Sequence, residues 1–208
     1  MKNLLENLIR LIYPNKCIVC EDIIKDDYQC EECKGYEYFK PSKFENASFI
    51  YDGVAKDTIL RFKFNKKPFM AKGLAFYMYN SLDKNIFSEV DIITFVPIHK
   101  RKMRERGFNQ AELLAKELGS LLKLPVKNIL KRVIYTQPLK NISGPARENI
   151  MKNAISYNTK FSIKEKNILI IDDIYTTGTT ISKCKEVLIN AGAGNVTYAT
   201  FCIVKKRI

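Results

Sequence analysis

The 208-residue sequence predicts an α/β protein, a mainly parallel sheet with helices on both faces, preceded by a small metal-binding module. Three observations carry that expectation. From about Ala47 onward, short apolar β-forming runs alternate with stretches of helical periodicity, the pattern of βαβ units. Two of the runs, residues 91–96 and 167–171, are almost continuously Ile, Leu, Val and Phe, as in strands buried on both faces. Four of the six cysteines fall within the first 33 residues as two CxxC pairs.

Taken in order, residues 1–14 place Leu4, Leu5, Leu8, Ile9 and Ile12 at helical spacing. They predict an amphipathic helix ended by Pro14 that packs on the protein's own body. Glu6 and Arg10 interrupt the apolar stretch and no small-residue cleavage site follows, unlike a secretion signal. Apolar runs elsewhere, such as 168–171 and 200–204, fall far short of the ~20 residues a bilayer needs. The expectation is a cytoplasmic protein without stable membrane insertion.

Next come Cys17-Ile-Val-Cys20 and Cys30-Glu-Glu-Cys33. In a reducing compartment this spacing argues for metal rather than disulfides. Each CxxC turns two thiolates toward one ion, and two such knuckles complete a tetrahedral S4 site. With all four positions taken by sulfur, zinc there is closed and structural. Such an ion contributes on the order of 10 kcal/mol to folding a unit with few apolar residues of its own. The alternative is a degenerate or redox-active pair. Cys184 and Cys202 stand alone in apolar surroundings and read as buried. The module ends near residues 40–46, which divides the chain into 1–44 and 45–208.

Residues 48–51 then predict a short strand, 54–64 and 70–82 helices, and 91–96 a strand ended by Pro97. Residues 110–122 carry Ala111, Leu114, Ala115, Leu118, Leu121 and Leu122 on one helical face. A strand near 129–134, a weaker helix near 145–153, a strand at 167–171, a helix at 179–191 stopped by Gly192, and a strand at 196–204 complete the pattern. In such sheets ligands bind beyond the carboxyl ends of the strands. That rule points to the segments after Val96, after Ile134 and after Ile171.

Composition narrows the function. At 46% hydrophobic and 27% charged, with nine Gly and seven Pro placed singly, the chain is not disordered, collagen-like or a coiled coil. Its 35 Lys and Arg against 22 Asp and Glu give +13, which favours an anionic partner: a phosphorylated metabolite, a nucleic acid or a membrane surface. The stretch Ile-Leu-Ile-Ile-Asp172-Asp173-Ile-Tyr-Thr176-Thr177-Gly178-Thr179-Thr180 is the most informative. A buried strand delivers two carboxylates, and a turn whose glycine permits positive φ leads straight into a helix N-terminus. Backbone N–H groups, the helix dipole and four hydroxyls there make a phosphate cradle. Two acids beside such a cradle repel an anion unless they accept hydrogen bonds from sugar hydroxyls or help hold a divalent cation. A ribose 5-phosphate satisfies both parts, diol to the acids and phosphate to the turn.

Residues 172–180 resemble the phosphoribosyl pyrophosphate (PRPP) loop of type I phosphoribosyltransferases. The chain as a whole is similar to ComF-family proteins (ComFC and GntX-like), which join a four-cysteine zinc module to that fold. The similarity includes Pro14 before the first CxxC, Leu60-Arg-Phe-Lys-Phe, and Val96-Pro-Ile-His-Lys-Arg-Lys-Met-Arg-Glu-Arg-Gly-Phe-Asn-Gln110. It also includes Gln137-Pro-Leu with Arg147 and Asn149.

The resemblance implies PRPP bound with Mg2+ by Asp172, Asp173, Thr176, Thr177, Gly178, Thr179 and Thr180, with the two acids as catalytic residues. It makes residues 97–107 the pyrophosphate loop, with Lys100, Arg101 and Arg106 as anion ligands. Residues 136–148, with Gln137, Lys140 and Arg147, become a hood over pyrophosphate. Guanidinium groups suit that role because they fork onto phosphate oxygens. His99, the only histidine, is assigned a local structural role. Some purine phosphoribosyltransferases carry an acid where this chain has Thr176, which disfavours a purine-type mechanism.

ComF relatives also imply natural transformation, with incoming single-stranded DNA and a competence helicase as partners, and GntX-like ones gluconate use. Two functions remain in view. One is a Mg2+-dependent transferase with an unidentified acceptor. The other is a non-catalytic PRPP- or single-stranded-DNA-binding protein; the 23 Phe and Tyr suit base stacking.

Overall fold

The computed structural model describes residues 15–25, 28–34, 38–65, 67–134 and 154–205. The helix expected within 1–14, the one near 145–153 and the hood at 136–148, with Gln137, Lys140 and Arg147, lie outside them.

Strand β1 (Ala47–Ile50) is followed by helix α1 (Gly53–Phe64), which Asp52 caps by accepting the Gly53 amide at 2.8 Å. Helix α2 (Met70–Ser81), strand β2 (Ile92–Phe95), a seven-residue helix α3 (Lys100–Arg106) and helix α4 (Gln110–Leu122) come next. The chain continues through β3 (Leu130–Arg132), β4 (Ile155–Tyr157), β5 (Ile168–Tyr175), α5 (Thr179–Asn190) and β6 (Val196–Ile203).

The main sheet runs β1-β6-β5-β2 with every pair parallel. On the outer edge of β2, Ile93 makes one further parallel bridge to Val126. The chain therefore leaves β2 outward through α4, and later leaves β5 in the other direction through α5. Right-handed crossovers in opposite directions put these two helices on opposite faces. The packing agrees: α4 lies against α2, β2 and β5, whereas α5 lies against β6 and β4. The connections after β2 and β5 part at this point, and a crevice opens where they do.

Two expectations are corrected. The strand after Ile129 is not in the main sheet; β3 pairs antiparallel with β4 alone. Nor does β5 stop at Ile171. Its ladder with β6 continues through Asp172↔Thr200, Ile174↔Cys202 and Tyr175↔Ile203, while its ladder with β2 ends at Phe95↔Ile171. Pro97 has no N–H with which to extend β2. The two acids thus stand on a strand with a neighbour on one side and an open edge on the other.

The cysteine segment docks on this core. Phe39 packs against Phe49 and Phe201 with ring centroids 5.0 and 5.7 Å away, and Ile18 is buried beside Gly73 of α2. A Cβ on Gly73 would lie 2.7 Å from Ile18 Cγ2 and 3.1 Å from Tyr28 Cβ. Gly73→Ala is expected to cost about 1–3 kcal/mol in chemical denaturation, because neither atom is the free end of a flexible side chain that could swing away.

Candidate phosphate site and cysteine cluster

Successive side chains of β5 leave opposite faces of the sheet, so Asp172 and Asp173 diverge. Asp173 is buried at 6% exposure, and its Oδ2 lies 2.9 Å from Lys63 Nζ of α1. Asp172 is half-buried on the α5 side, where its charge is felt by Arg132 of β3 and by Cys184. Its Oδ1 accepts the Asp173 amide at 2.9 Å, and it forms no salt bridge among the described residues. Burial, then the Asp173 carboxylate, push Asp172 up to about 8, with Lys63 pulling the other way.

Beyond Tyr175 the chain turns through Thr176 and Thr177, both exposed, to Gly178. Gly178 has φ +77° and precedes α5 without a side-chain cap, so the first amides of a 12-residue helix keep no capping partner. That positive φ favours glycine here, and a Cβ at this position would also press on the Tyr175 hydroxyl. Thr177 and Thr179 face each other with hydroxyl oxygens 2.9 Å apart. Asp172, Ile174, Tyr175, Thr176, Gly178 and Thr180 line a small cleft here.

The basic segment after β2 is largely helical. His99 begins α3, its Nδ1 accepting the Arg101 amide at 3.2 Å, a local structural role. Helical geometry then divides the cations. Lys100 is exposed, and Arg101 is tied to Glu105 at 3.1 Å in a pair more than half exposed. One step round the helix, Lys102 and Arg106 share a face. Burial first, then Arg106, Arg132 and Lys63, draw Lys102 below the ordinary lysine range. Four cations therefore gather near one another: Lys63 on Asp173, Arg132 near Asp172, and Lys102 and Arg106 beside them. Sequence reasoning singled out only Arg106 of these. Arg106 also donates to Gln110 Oε1 at 3.1 Å and lies 5.4 Å over the Phe64 ring.

Sγ atoms of Cys17, Cys20, Cys30 and Cys33 all lie within 4.8 Å of one another. The first knuckle closes through Glu21 N–H to Cys17 O at 3.0 Å and Cys17 N–H to Asp22 O at 2.9 Å. Burial opposes ionisation of Cys17, but backbone N–H groups around it outweigh burial and bring its thiol down to about 7. Burial pushes Cys33 up to about 11, with Cys30 and Cys17 adding to it. Four thiolates at this spacing are incompatible without a cation between them. The donor set fits a soft metal ion held as a tetrahedron. Cys184 and Cys202 are buried as expected; burial pushes Cys184 up to about 12.

A profile of the phosphoribosyl transferase domain matches residues 66–208, so the chain has a phosphoribosyl transferase domain. It is 30% identical over 192 residues to competence protein ComFC of Streptococcus pneumoniae, covering 89% of this chain and 80% of that protein. Competence protein F of Haemophilus influenzae is 30% identical over 144 residues, 66% of this chain and 63% of that one. The chain thus spans under two thirds of the Haemophilus protein. With these relatives, the domain and the clustered cysteines, the chain belongs to the ComF family. A solved purine phosphoribosyltransferase from Pyrococcus horikoshii aligns at 18% identity and TM-score 0.41, over 64% of this chain and 72% of that one. Lys63 lies before the matched residues although it reaches the acids.

Proposed function

We propose that the chain binds PRPP or a related ribose phosphate, with Mg2+, at residues 172–180 and transfers its phosphoribosyl group to an acceptor. The observation that carries this reading is the step at the end of β5. There two diverging carboxylates and an uncapped helix N-terminus stand at one open edge, with Lys63 and Arg132 beside the acids. In such a transfer the C1–O bond breaks, its electron pair leaves with pyrophosphate, and the ribosyl group passes through an oxocarbenium-like state. Lys102, Arg106 and Arg132 neutralise the leaving pyrophosphate, and the family resemblance adds Lys100, Arg101 and Arg147 to them. Asp172 and Asp173 hold the ribose side, and the turn from Thr176 to Thr180 holds the 5-phosphate. Mg2+ supplies further neutralisation when bound. The four cysteines hold structural Zn2+. The setting is the cytoplasm of a cell taking up DNA, where a competence helicase is the partner.

The test is thermal stability with Mg2+ and PRPP, against ribose 5-phosphate and pyrophosphate separately. At ~100 times its Kd the intact ligand should add ~2.7 kcal/mol, more than either fragment does. No shift with any of the three overturns the reading.

One observation favours a second, non-catalytic reading as a single-stranded-DNA-binding protein. Phe64 is 62% exposed beneath Arg106, and Phe69, 47% exposed, lies close along the chain. Exposed rings interleaved with cations stack bases and attract their phosphates. Log affinity for an oligonucleotide should then fall by ~0.7 per phosphate contacted for each tenfold rise in salt. A flat response removes the nucleic acid.

A further inference from the structure

Helix α1 and the residues just after it touch both sites at once. Lys63 Nζ holds Asp173 Oδ2 at 2.9 Å, with the two side chains 18% and 8% exposed. Two residues earlier, Arg61 reaches the other way. Its Nη1 lies 3.1 Å from Glu21 Oε1, and its Nη2 donates to the Ile18 carbonyl at 3.0 Å. Lys67 Nζ donates to the second oxygen of the same carboxylate. Glu21 directly follows Cys20, and Ile18 directly follows Cys17. The first cysteine knuckle is therefore clamped to the helix that supplies the cation of Asp173.

The backbone says that this clamp is specified. Glu21 sits at φ +72°, in the left-handed region that a residue with a Cβ enters at a cost and a glycine enters freely. Strained positions persist where surrounding contacts over-determine them. Here the contacts are two cations, Arg61 of α1 and Lys67 just beyond it, on a single carboxylate, a fork that glycine cannot make. The side chain, not the turn, accounts for a glutamate at this position.

We infer that Glu21 is a positioning residue for the phosphoribosyl site. By tying the knuckle to α1 it fixes Lys63 on Asp173, and the state of the cysteine cluster is thereby felt at the loop 172–180. The inference concerns regulation of the site read above as a ribose-phosphate site, and rests on that reading for its ligand arm. With the cluster held by its ion, the knuckle is rigid and the clamp has a fixed anchor. Without it, Glu21 is free to leave the left-handed conformation, Arg61 keeps only the Ile18 carbonyl and Thr58, Lys67 loses its acceptor, and Lys63 is held less firmly against the acid. Coupling of this kind is reciprocal: ligand at the loop tightens the hold on the metal by the same factor.

Glu21→Gly is the informative variant, because it removes the clamp while relieving the backbone. Glu21→Gln, which keeps the side-chain length and drops the charge, is its companion. Full-length protein is assayed for bound metal, for Mg·PRPP affinity by calorimetry, and for amide hydrogen exchange at residues 172–177. Exchange at residues 168–171 in the core of β5 serves as the internal reference. Both variants are expected to retain the metal, bind Mg·PRPP about 5-fold or more weakly, and exchange faster at 172–177 with the reference unchanged. Chelation should loosen 172–177 in the unsubstituted protein and add nothing in Glu21→Gly. Unchanged exchange at 172–177 in both variants, or chelation acting equally with and without Glu21, overturns the inference. If the unsubstituted protein fails to bind Mg·PRPP, the ligand reading falls, and the exchange arm alone decides the coupling.

Discussion

Lys63→Met should destabilise the protein by about 3–5 kcal/mol in chemical denaturation. Asp173 is buried and Lys63 is its salt-bridge partner, so the substitution leaves a carboxylate in the interior with its counter-charge removed. Methionine matches the lysine stem in length, which confines the change to the charge. A second substitution identifies the cause: Lys63→Met with Asp173→Asn should recover most of the loss, because a neutral amide carries no such penalty. If the pair is as unstable as Lys63→Met alone, the lysine acts through packing rather than charge. The wild-type ion pair itself need contribute little, since burying two charges costs nearly what their attraction returns.

Asp172→Asn should have the opposite sign. A carboxyl whose folded value is raised above its unfolded value of about 3.9 is protonated in both states at lower pH and makes no difference there. As pH climbs from about 4 toward about 8, the folded state resists ionisation while the unfolded state ionises freely, and stability is lost. Asparagine removes that slope. The variant should match the wild type near pH 4 and exceed it by about 2 kcal/mol near pH 8, an amount discounted because the side chain is half-exposed. Thermal denaturation across that range reads it directly. The same variant should lose the stabilisation by Mg2+ and PRPP measured above about pH 8, where the wild-type side chain is a carboxylate and the amide offers the sugar hydroxyls no charged acceptor. A more stable protein that binds less well marks a residue kept for function at the expense of folding. A gain that is constant with pH would show that charge at Asp172 is not the cause.

The apolar run ahead of Asp172, the glycine in the threonine turn and the two CxxC pairs were legible because each is local. A strand, a turn and a knuckle all form among neighbours in sequence. Lys63 was harder, yet left a signal. It follows Ile59 by four residues and Ala55 by eight, both fully buried, and so stands in the apolar stripe of α1. A lysine there announces a buried partner. Arg132 left a similar trace, two residues after buried Leu130 on the same face of β3. Phe64 stands exposed one residue off the stripe, where no packing demand accounts for an aromatic. No local pattern shows that β5 outruns β2, since strand length is set by the partner and here by Pro97. The divergence of the two acids follows from that extra length, and the choice of Asp173 as the one given a cation follows from where α1 packs.

The position of β6 bears on how the chain is made. β6 lies between β1 and β5, so neither has that neighbour until the last of the strands exists. Asn46, just ahead of β1, donates its side-chain amide to Tyr198 across 152 residues of sequence. At ordinary elongation rates the interval between the synthesis of these two residues is on the order of 10 s. During it the apolar Phe49 of β1 has no neighbouring strand to pair with, while Cys17 to Cys33 have already emerged and can close around an ion. A ribosome-bound chain thus carries a finished cysteine module ahead of an unfinished sheet. That long wait makes the nascent form, more than the mature one, the species with a claim on a chaperone.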